Sequence, residues 1–489
     1  MQKIKIFKIV TCLTLYSVIT DLQAQSISWQ EAKDMLRSGS GINNSPAMAA
    51  AVSNISEYSA EANHTGDPIG GGTGYSRIIT SGDYTVSNRT ELLDALYKAR
   101  DGEIIYVSSG SEIDMSGLVS VEIRDGVTLA GNRGHSVSNG PLIYTDGLAS
   151  HSYPRLFLMG NGSRITGIRL IGPDPDYSDY TQQTKDASYE AAARGIYMGT
   201  NSEVDNNEIA NFYRDGVIVN EKNCHVHHNY IHDIAAYPVV VGGKNNSSVL
   251  IEANLIYWGW HSFAGSGIWG SGYEVRYNIF EPHDIASCFG SSVNHCMDIH
   301  GDRELNELTG QWIAGDFVYW HHNTINLNNV SNPVGFKIRG TPRLLGKVNK
   351  NWFKGSEDFM KIMGPYGSNY ESANGNVWIY DNIYGNEGQP LSEIIYRTTP
   401  QILFNRPNPP AEPIEKVSGT LELDVDVNPH PDLPVAGVRV TLNSTEIYIG
   451  QTAPEKGDVL INTTELSDGL HHIVVSAIDS RGALGYFDV

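Results

Sequence analysis

Three segments of the chain place acidic, imidazole and cationic side chains on either side of an isoleucine: Asp298-Ile-His300, Lys337-Ile-Arg339 and Lys361-Ile-Met363, each followed by glycine. Successive side chains of a β-strand point to opposite faces, so a buried isoleucine sends both neighbours outward. Parallel strands lie about 4.8 Å apart, and stacking these three makes one surface of Asp298, His300, Lys337, Arg339 and Lys361. Guanidinium and ammonium groups grip carboxylates, so the surface suits an anionic ligand. It also suits proton transfer, since imidazole titrates near neutrality and an amine among cations loses its proton more readily. On acid–base grounds the base is Lys337 or His300, with Arg339, always protonated, neutralising charge. Asp298, with Asp302 and Glu304 from the loop that follows, offers the hard oxygen donors that Ca²⁺ takes, and Arg303 beside them is a further ligand contact. The plainer alternative is a cross-strand Asp298–Arg339 ion pair, worth little at an exposed site.

Similar strands precede these: Ile196-Tyr-Met198, Val217-Ile-Val219, Val239-Val-Val241 and Gly267-Ile-Trp269. Aligned on the central residue as the inward one, they put Trp269 on the charged face as a stacking platform. A one-residue slip in any strand would bury its charges instead.

What positions these strands is an internal repeat: an apolar residue, two variable residues, Asn, one variable residue, then Ile, Phe or Tyr. It recurs at Asn207, Asn229, Asn254, Asn278, Asn323, Asn351 and Asn382. One repeat cannot bury its own apolar face, so stacking is obligatory. The expectation is an all-β, right-handed parallel β-helix whose Asn side chains sit at left-handed turns and bond to one another along the axis. His321 and His322, beside Asn323, read as structural. The loops Glu281–Asn294 and Gly301–Asp316 flank the Asp298–His300 strand as cleft walls.

Around this middle, residues 1–24 read as a signal peptide: Lys3, Lys5 and Lys8, an apolar run from Ile9 to Ile19 too short to span a bilayer, then Leu22-Gln23-Ala24. Residues 25–400 form the β-helix domain, with coils over about 85–390 and a capping helix from Asn88-Arg-Thr90 to about Ala99, N-capped by Thr90. Residues 401–414 are a Pro-rich linker, and 415–489 alternate as short strands of a small β-sandwich. Export leaves Cys224, Cys288 and Cys296, an odd number, with a Cys288–Cys296 staple as one pairing.

The chain of 489 residues carries 55 Asp and Glu against 34 Lys and Arg, a formal charge of -21. That balance excludes a general nucleic-acid or anionic-membrane binder, which needs clustered Lys and Arg. Any anionic partner must be met locally. No membrane span is expected, and a secreted or periplasmic monomer is.

Three stretches resemble the pectate-lyase superfamily of parallel β-helix proteins: the entry Gly70-Gly-Gly-Thr-Gly-Tyr75 with Thr90–Ala95 and Val127–Gly131, the Asn repeat, and Arg339-Gly-Thr-Pro342-Arg343 with Gly346-Lys-Val-Asn-Lys-Asn351. The likeness covers about 70–390. It implies a polysaccharide lyase that cuts a uronate-containing, acidic polysaccharide by β-elimination, points to Arg339 as the base and adds Arg343 as a substrate contact. The tail Asp468–Asp479 looks like an immunoglobulin-like module. A polygalacturonase-like hydrolase shares the His-Gly element but needs two carboxyl groups in one site, and a non-catalytic glycan-binding solenoid is the third possibility.

Overall fold

The computed structural model of the chain describes residues 4–6, 55–149, 153–173, 193–242, 244, 246–268, 270–282, 295–301, 312–330, 334–342, 345–355, 360–363, 377–391, 394–396, 401–406, 416–417, 419–428, 435–443, 445–467, 470–471, 473–479 and 484–488. The strands from Tyr84 to Tyr396 assemble into three sheets of twelve, eleven and nine strands, and apart from the end pairs Tyr84–Val86 with Ile104–Val107 and Ile383–Tyr384 with Gln389–Pro390, neighbours within each sheet are three strands apart in chain order. That is the signature of a three-sided coil. One turn runs through Asp215–Val219 in the nine-stranded sheet, Cys224–His227 in the twelve-stranded sheet and Tyr230–Ile234 in the eleven-stranded sheet. The fold is the expected parallel β-helix. Among the described residues, antiparallel pairing within these sheets is confined to their last strands, at Ile394–Tyr396 and Gln389–Pro390.

Apolar columns explain the stacking. Val204, Val226, Ile251, Val275, Trp320 and Val348 pair in register, and all are fully buried. Each rung removes from water the face that the rung beside it leaves open.

The repeat asparagines form a continuous ladder. From Asn207 to Asn351, each backbone N–H and each Nδ2 donates to the Oδ1 of the next ladder Asn at 2.9–3.1 Å. The left-handed residue is not the Asn but the one before it: Asn206, His228, Ala253, Tyr277, His322, Lys350 and Asp381 have φ between 51° and 56°. The ladder Asn is needed for its amide, which satisfies a buried corner, while the preceding residue makes the bend.

Helix Arg89–Lys98 buries Leu92, Ala95 and Leu96. Its N-cap is Asn88 rather than Thr90, because the Asn88 side chain accepts from the Glu91 N–H at 3.1 Å. Residues 55–77 form a strap across the left-handed corners. Tyr58 Oη donates to Asp381 Oδ1 at 3.2 Å, Thr65 Oγ1 lies 3.0 Å from His228 Nε2, and the Gly72 N–H donates to Asn206 Oδ1 at 2.7 Å.

Past the solenoid, antiparallel strands surround a separate apolar core that includes Leu421, Leu423, Val438, Val440 and Val475. Gln401–Arg406, expected within the linker, is a strand paired with Asp424–Asn428, so this module begins at the start of the expected linker. Of the expected leader, Ile4–Ile6 is described, as a strand between Lys416–Val417 and Leu470–His471. Cys296 is a free thiol in the solenoid core, and Cys288, its expected partner, lies outside the described residues. Among the described residues no helix is long and apolar enough to cross a membrane.

Candidate functional site

The nine-stranded sheet stacks Phe263–Ser266, His295–His300, Val334–Arg339 and Met360–Met363 as neighbours. Met297, Ile299, Phe336 and Ile338 are fully buried in the solenoid core. Alternation then turns Asp298, His300, Lys337 and Arg339 to the outer face. Asp298 pairs with Lys337 and Lys337 with Lys361, while His300 pairs with Arg339. Gly301 allows the turns behind these strands to close up, since a Cβ there would lie 1.7 Å from the Arg339 carbonyl oxygen.

For the upstream strands the expected register is off by one. The partner of Asp298 is Ala264, whose own partner is Val240, and the same column continues to Ile218 and Tyr197. In these strands the central residue faces out, and its neighbours Ile196, Met198, Val217, Val219, Val239 and Val241 are core. The strand beneath Asp298–His300 is Phe263–Ser266, so Gly267–Gly270 is not part of the ladder. Trp269 itself lies outside the described residues. Asp302, Arg303, Glu304 and Arg343 lie outside them too, and Lys361 is described in its backbone alone.

Three positively charged or chargeable groups converge on one carboxylate oxygen. Arg339 Nη2 donates to Asp298 Oδ2, and the Nε2 atoms of His261 and His300 lie 3.5 Å and 3.7 Å from the same oxygen. Those last separations exceed a hydrogen bond and act electrostatically. Asp298 and His261 are fully buried, whereas the side chains of His300 and Arg339 keep 23% and 17% of their surface exposed. Asp298 and His261 thus form the floor, and His300 and Arg339 present edges to a ligand.

His261 is the residue that sequence reasoning missed. It stacks on Trp260 with ring centroids 4.0 Å apart, and Tyr237 stacks on Trp260 at 5.9 Å and on His261 at 5.6 Å. The tryptophan coupled to the charged group is Trp260. A signal was present: the interval from Val240 to Asn254 equals that from Ala264 to Asn278, so counting back from the ladder Asn selects the right strand.

The described donors do not fit Ca²⁺. Asp298 Oδ2 is already held by a guanidinium, and the groups nearest it are imidazoles, not the oxygens this cation takes.

A second set of ligand-type side chains, Glu203, His225 and His227, lies on the outer face of the twelve-stranded sheet. Glu203 is gripped by Arg77 and accepts from His227 Nε2 at 2.6 Å. Burial would raise its pKa, yet His227, Arg77 and Arg164 together hold it well below the usual carboxylate range. Glu252 bonds Arg276 at 2.7 Å, and Glu274 bonds Arg276 at 2.9 Å and lies 3.2 Å from His321. Every acid here has a cationic or imidazole partner. His321, expected to be structural, belongs to this ladder.

No family model and no curated protein matches the chain. Among solved structures, it is similar to an alginate lyase from Paenibacillus sp. str. FPU-7, at 14% identity and a TM-score of 0.33, covering 62% of this chain and 97% of that one. It is also similar to the tailspike protein gp49 of Acinetobacter baumannii bacteriophage Fri1, a capsular polysaccharide depolymerase, at 11% identity and a TM-score of 0.32, covering 84% and 78%.

Proposed function

We propose that the chain is an exported polysaccharide lyase that cleaves a uronate-containing glycan by β-elimination on the outer face of the nine-stranded sheet. The observation that carries this reading is the convergence of Arg339, His300 and His261 on Asp298, beside Lys337. Elimination requires a base to take the C5 proton, whose electrons form the C4–C5 double bond as the C4–O4 bond breaks and O4 gains a proton. The proton at C5 becomes acidic enough only if the neighbouring carboxylate is neutralised. In this reading Arg339 and Lys337 neutralise it. His300, exposed along one edge and oriented by Asp298, takes the proton. Hydrolysis needs two carboxyl groups, and among the described residues the cluster holds one, Asp298, already engaged by Arg339.

The test is incubation of the full chain with polygalacturonate, alginate and chondroitin sulfate, each with and without chelator. Ultraviolet absorbance from unsaturated ends is expected in at least one polymer, unchanged by chelation and lost in His300→Ala. Reducing ends without that absorbance would sink the lyase reading.

A further inference from the structure

One proton on the buried imidazole of His261 is fixed by its neighbour in the chain, and a second follows from the first. His261 Nδ1 lies 2.9 Å from the Trp260 carbonyl oxygen. A carbonyl oxygen only accepts, so Nδ1 carries a hydrogen and donates it. In a neutral imidazole the other ring nitrogen is then bare. That nitrogen, Nε2, lies 3.5 Å from Asp298 Oδ2, and both side chains are fully buried. A neutral His261 would turn a lone pair toward an anionic oxygen where no bulk water screens the repulsion. A hydrogen on Nε2 makes the same contact attractive.

The surroundings favour the charged ring. Placing the proton on Asp298 Oδ2 instead would set an O–H against the Arg339 guanidinium, which donates to that same oxygen. Trp260 and Tyr237 stack on the His261 ring, with centroids 4.0 Å and 5.6 Å away, and aromatic faces attract a cation. The described titratable and charged groups that meet this cluster are Asp298, His300 with its ring 6.0 Å from that of His261, Arg339, Lys337 paired with Asp298, and Tyr237, over whose ring Arg214 lies at 5.3 Å. Of these, Asp298 alone is an anion at neutral pH.

We propose that His261 is a buried imidazolium and a positioning residue, whose charge joins that of Arg339 on Asp298 and so keeps His300 an uncharged base. It rests on the β-elimination reading above and adds what sets the protonation of the base. A nearby carboxylate draws a proton onto an imidazole, and His300 Nε2 lies 3.7 Å from the same Asp298 oxygen. A second cation on that carboxylate offsets the pull, which leaves His300 a lone pair for the C5 proton at neutral pH. Burial divides the two imidazoles. His261, closed off from solvent, holds its proton throughout, and His300, with 23% of its side chain exposed, exchanges one with the substrate.

The test has two readouts. Neutron diffraction from deuterium-exchanged crystals of the chelator-treated full chain at neutral pH should show deuterons on both Nδ1 and Nε2 of His261 and a bare ring nitrogen on His300, and it requires no variant. The second readout is the pH profile of kcat/KM on whichever of polygalacturonate, alginate or chondroitin sulfate yields unsaturated ends. His261→Gln keeps an N–H donor and removes the charge, so His300 should hold its proton to higher pH and the acid limb should move up by about one unit. A merely structural His261 would lower the rate and leave the limb in place, and thermal melts confirm that the variant is folded. A bare His261 Nε2, a metal ion seated on it, or an unmoved acid limb in folded His261→Gln would overturn the proposal. Deuterons on both His261 nitrogens in a chain that forms no unsaturated product would refute the lyase and keep the imidazolium. Unsaturated product from a chain with a bare His261 Nε2 would do the reverse.

Discussion

Replacing Asn254 by alanine should cost about 4 kcal/mol, and the sum can be worked from its bonds. The Asn254 Nδ2 donates to the Val226 carbonyl and to Asn278 Oδ1, both at 2.9 Å, while its Oδ1 accepts from Asn229 N–H and Nδ2, both at 3.0 Å. Two of the four partners keep another bond: Asn229 Nδ2 still reaches the Val204 and His227 carbonyls, and Asn278 Oδ1 still accepts from the Asn254 backbone. The Asn229 N–H and the Val226 carbonyl lose their ladder partner in a corner where Asn229 and Asn254 are fully buried. A buried polar group left unsatisfied costs about 1–3 kcal/mol, so two give roughly 2–6. Asn254→Asp separates this account from one of shape, because it keeps the outline but turns a carboxyl oxygen toward two acceptors. Aspartate should therefore be no better than alanine. The assay is denaturant unfolding together with hydrogen exchange, since a stacked array can lose stability locally before it melts as a whole. A loss under about 1 kcal/mol for alanine, or an aspartate variant equal to wild type, would refute the ladder as a stabilising device.

Three further outcomes follow from the same structure. Burial, with His227 next, pushes His228 down to about 4, and burial, with His321 next, pushes His322 down to about 3. An unfolded histidine titrates near 6.5, so the unfolded state binds more protons below that value, and stability should fall as pH drops from about 6.5 toward 4; thermal melts flat across that window would contradict it, and His228→Asn, which tolerates its left-handed φ of 52°, should flatten the slope. Gly71→Ala, at φ +67° with a Cβ 2.3 Å from the His228 carbonyl, should unseat the strap and raise protease cleavage within 64–77 while the coils stay folded. Arg339→Lys should lower kcat about 10²- to 10³-fold, as loss of a preorganised donor does, and a rate within fivefold of wild type would remove Arg339 from the charge-neutralising role.

Legibility in the sequence followed periodicity. The seven ladder asparagines carry the same pattern of apolar flanks, and the corner they occupy is therefore readable without a structure. Asp298, His300, Lys337 and Arg339 were readable because a buried isoleucine lies between each pair. Upstream, the strands Ile196–Met198, Val217–Val219 and Val239–Val241 are apolar at all three positions, so no polarity distinguishes the inward face and the register slipped by one. His261 sits in a bend just ahead of a four-residue strand, outside any period, and reaches Asp298 only because the coil folds it there. The strap was illegible for a related reason: its partners are backbone and side-chain groups of many coils, separated from it by up to 323 residues.

The two polar faces of the solenoid share an alphabet of Glu or Asp, His and Arg, and composition cannot separate a structural face from a reactive one. Burial and pairing can. On the twelve-stranded sheet Glu252, Glu274 and Arg276 are nearly inaccessible, and each acid meets a cation or an imidazole. A ligand arriving there would have to break existing pairs and pay for desolvation. On the nine-stranded sheet the acid is buried, but the imidazole of His300 and the guanidinium of Arg339 keep open edges. An anionic ligand there would meet a guanidinium already set by Asp298. The same contrast dictates how each face should answer to mutation. Removing Glu274 takes the acceptor from one Arg276 nitrogen and the carboxylate from beside His321, and should lower stability, whereas removing His300 uncovers Asp298 on the outer face and should lower turnover with little change in the melting temperature. If His300→Ala melted as far below wild type as Glu274→Ala, the nine-stranded face would be a structural ladder like the other one.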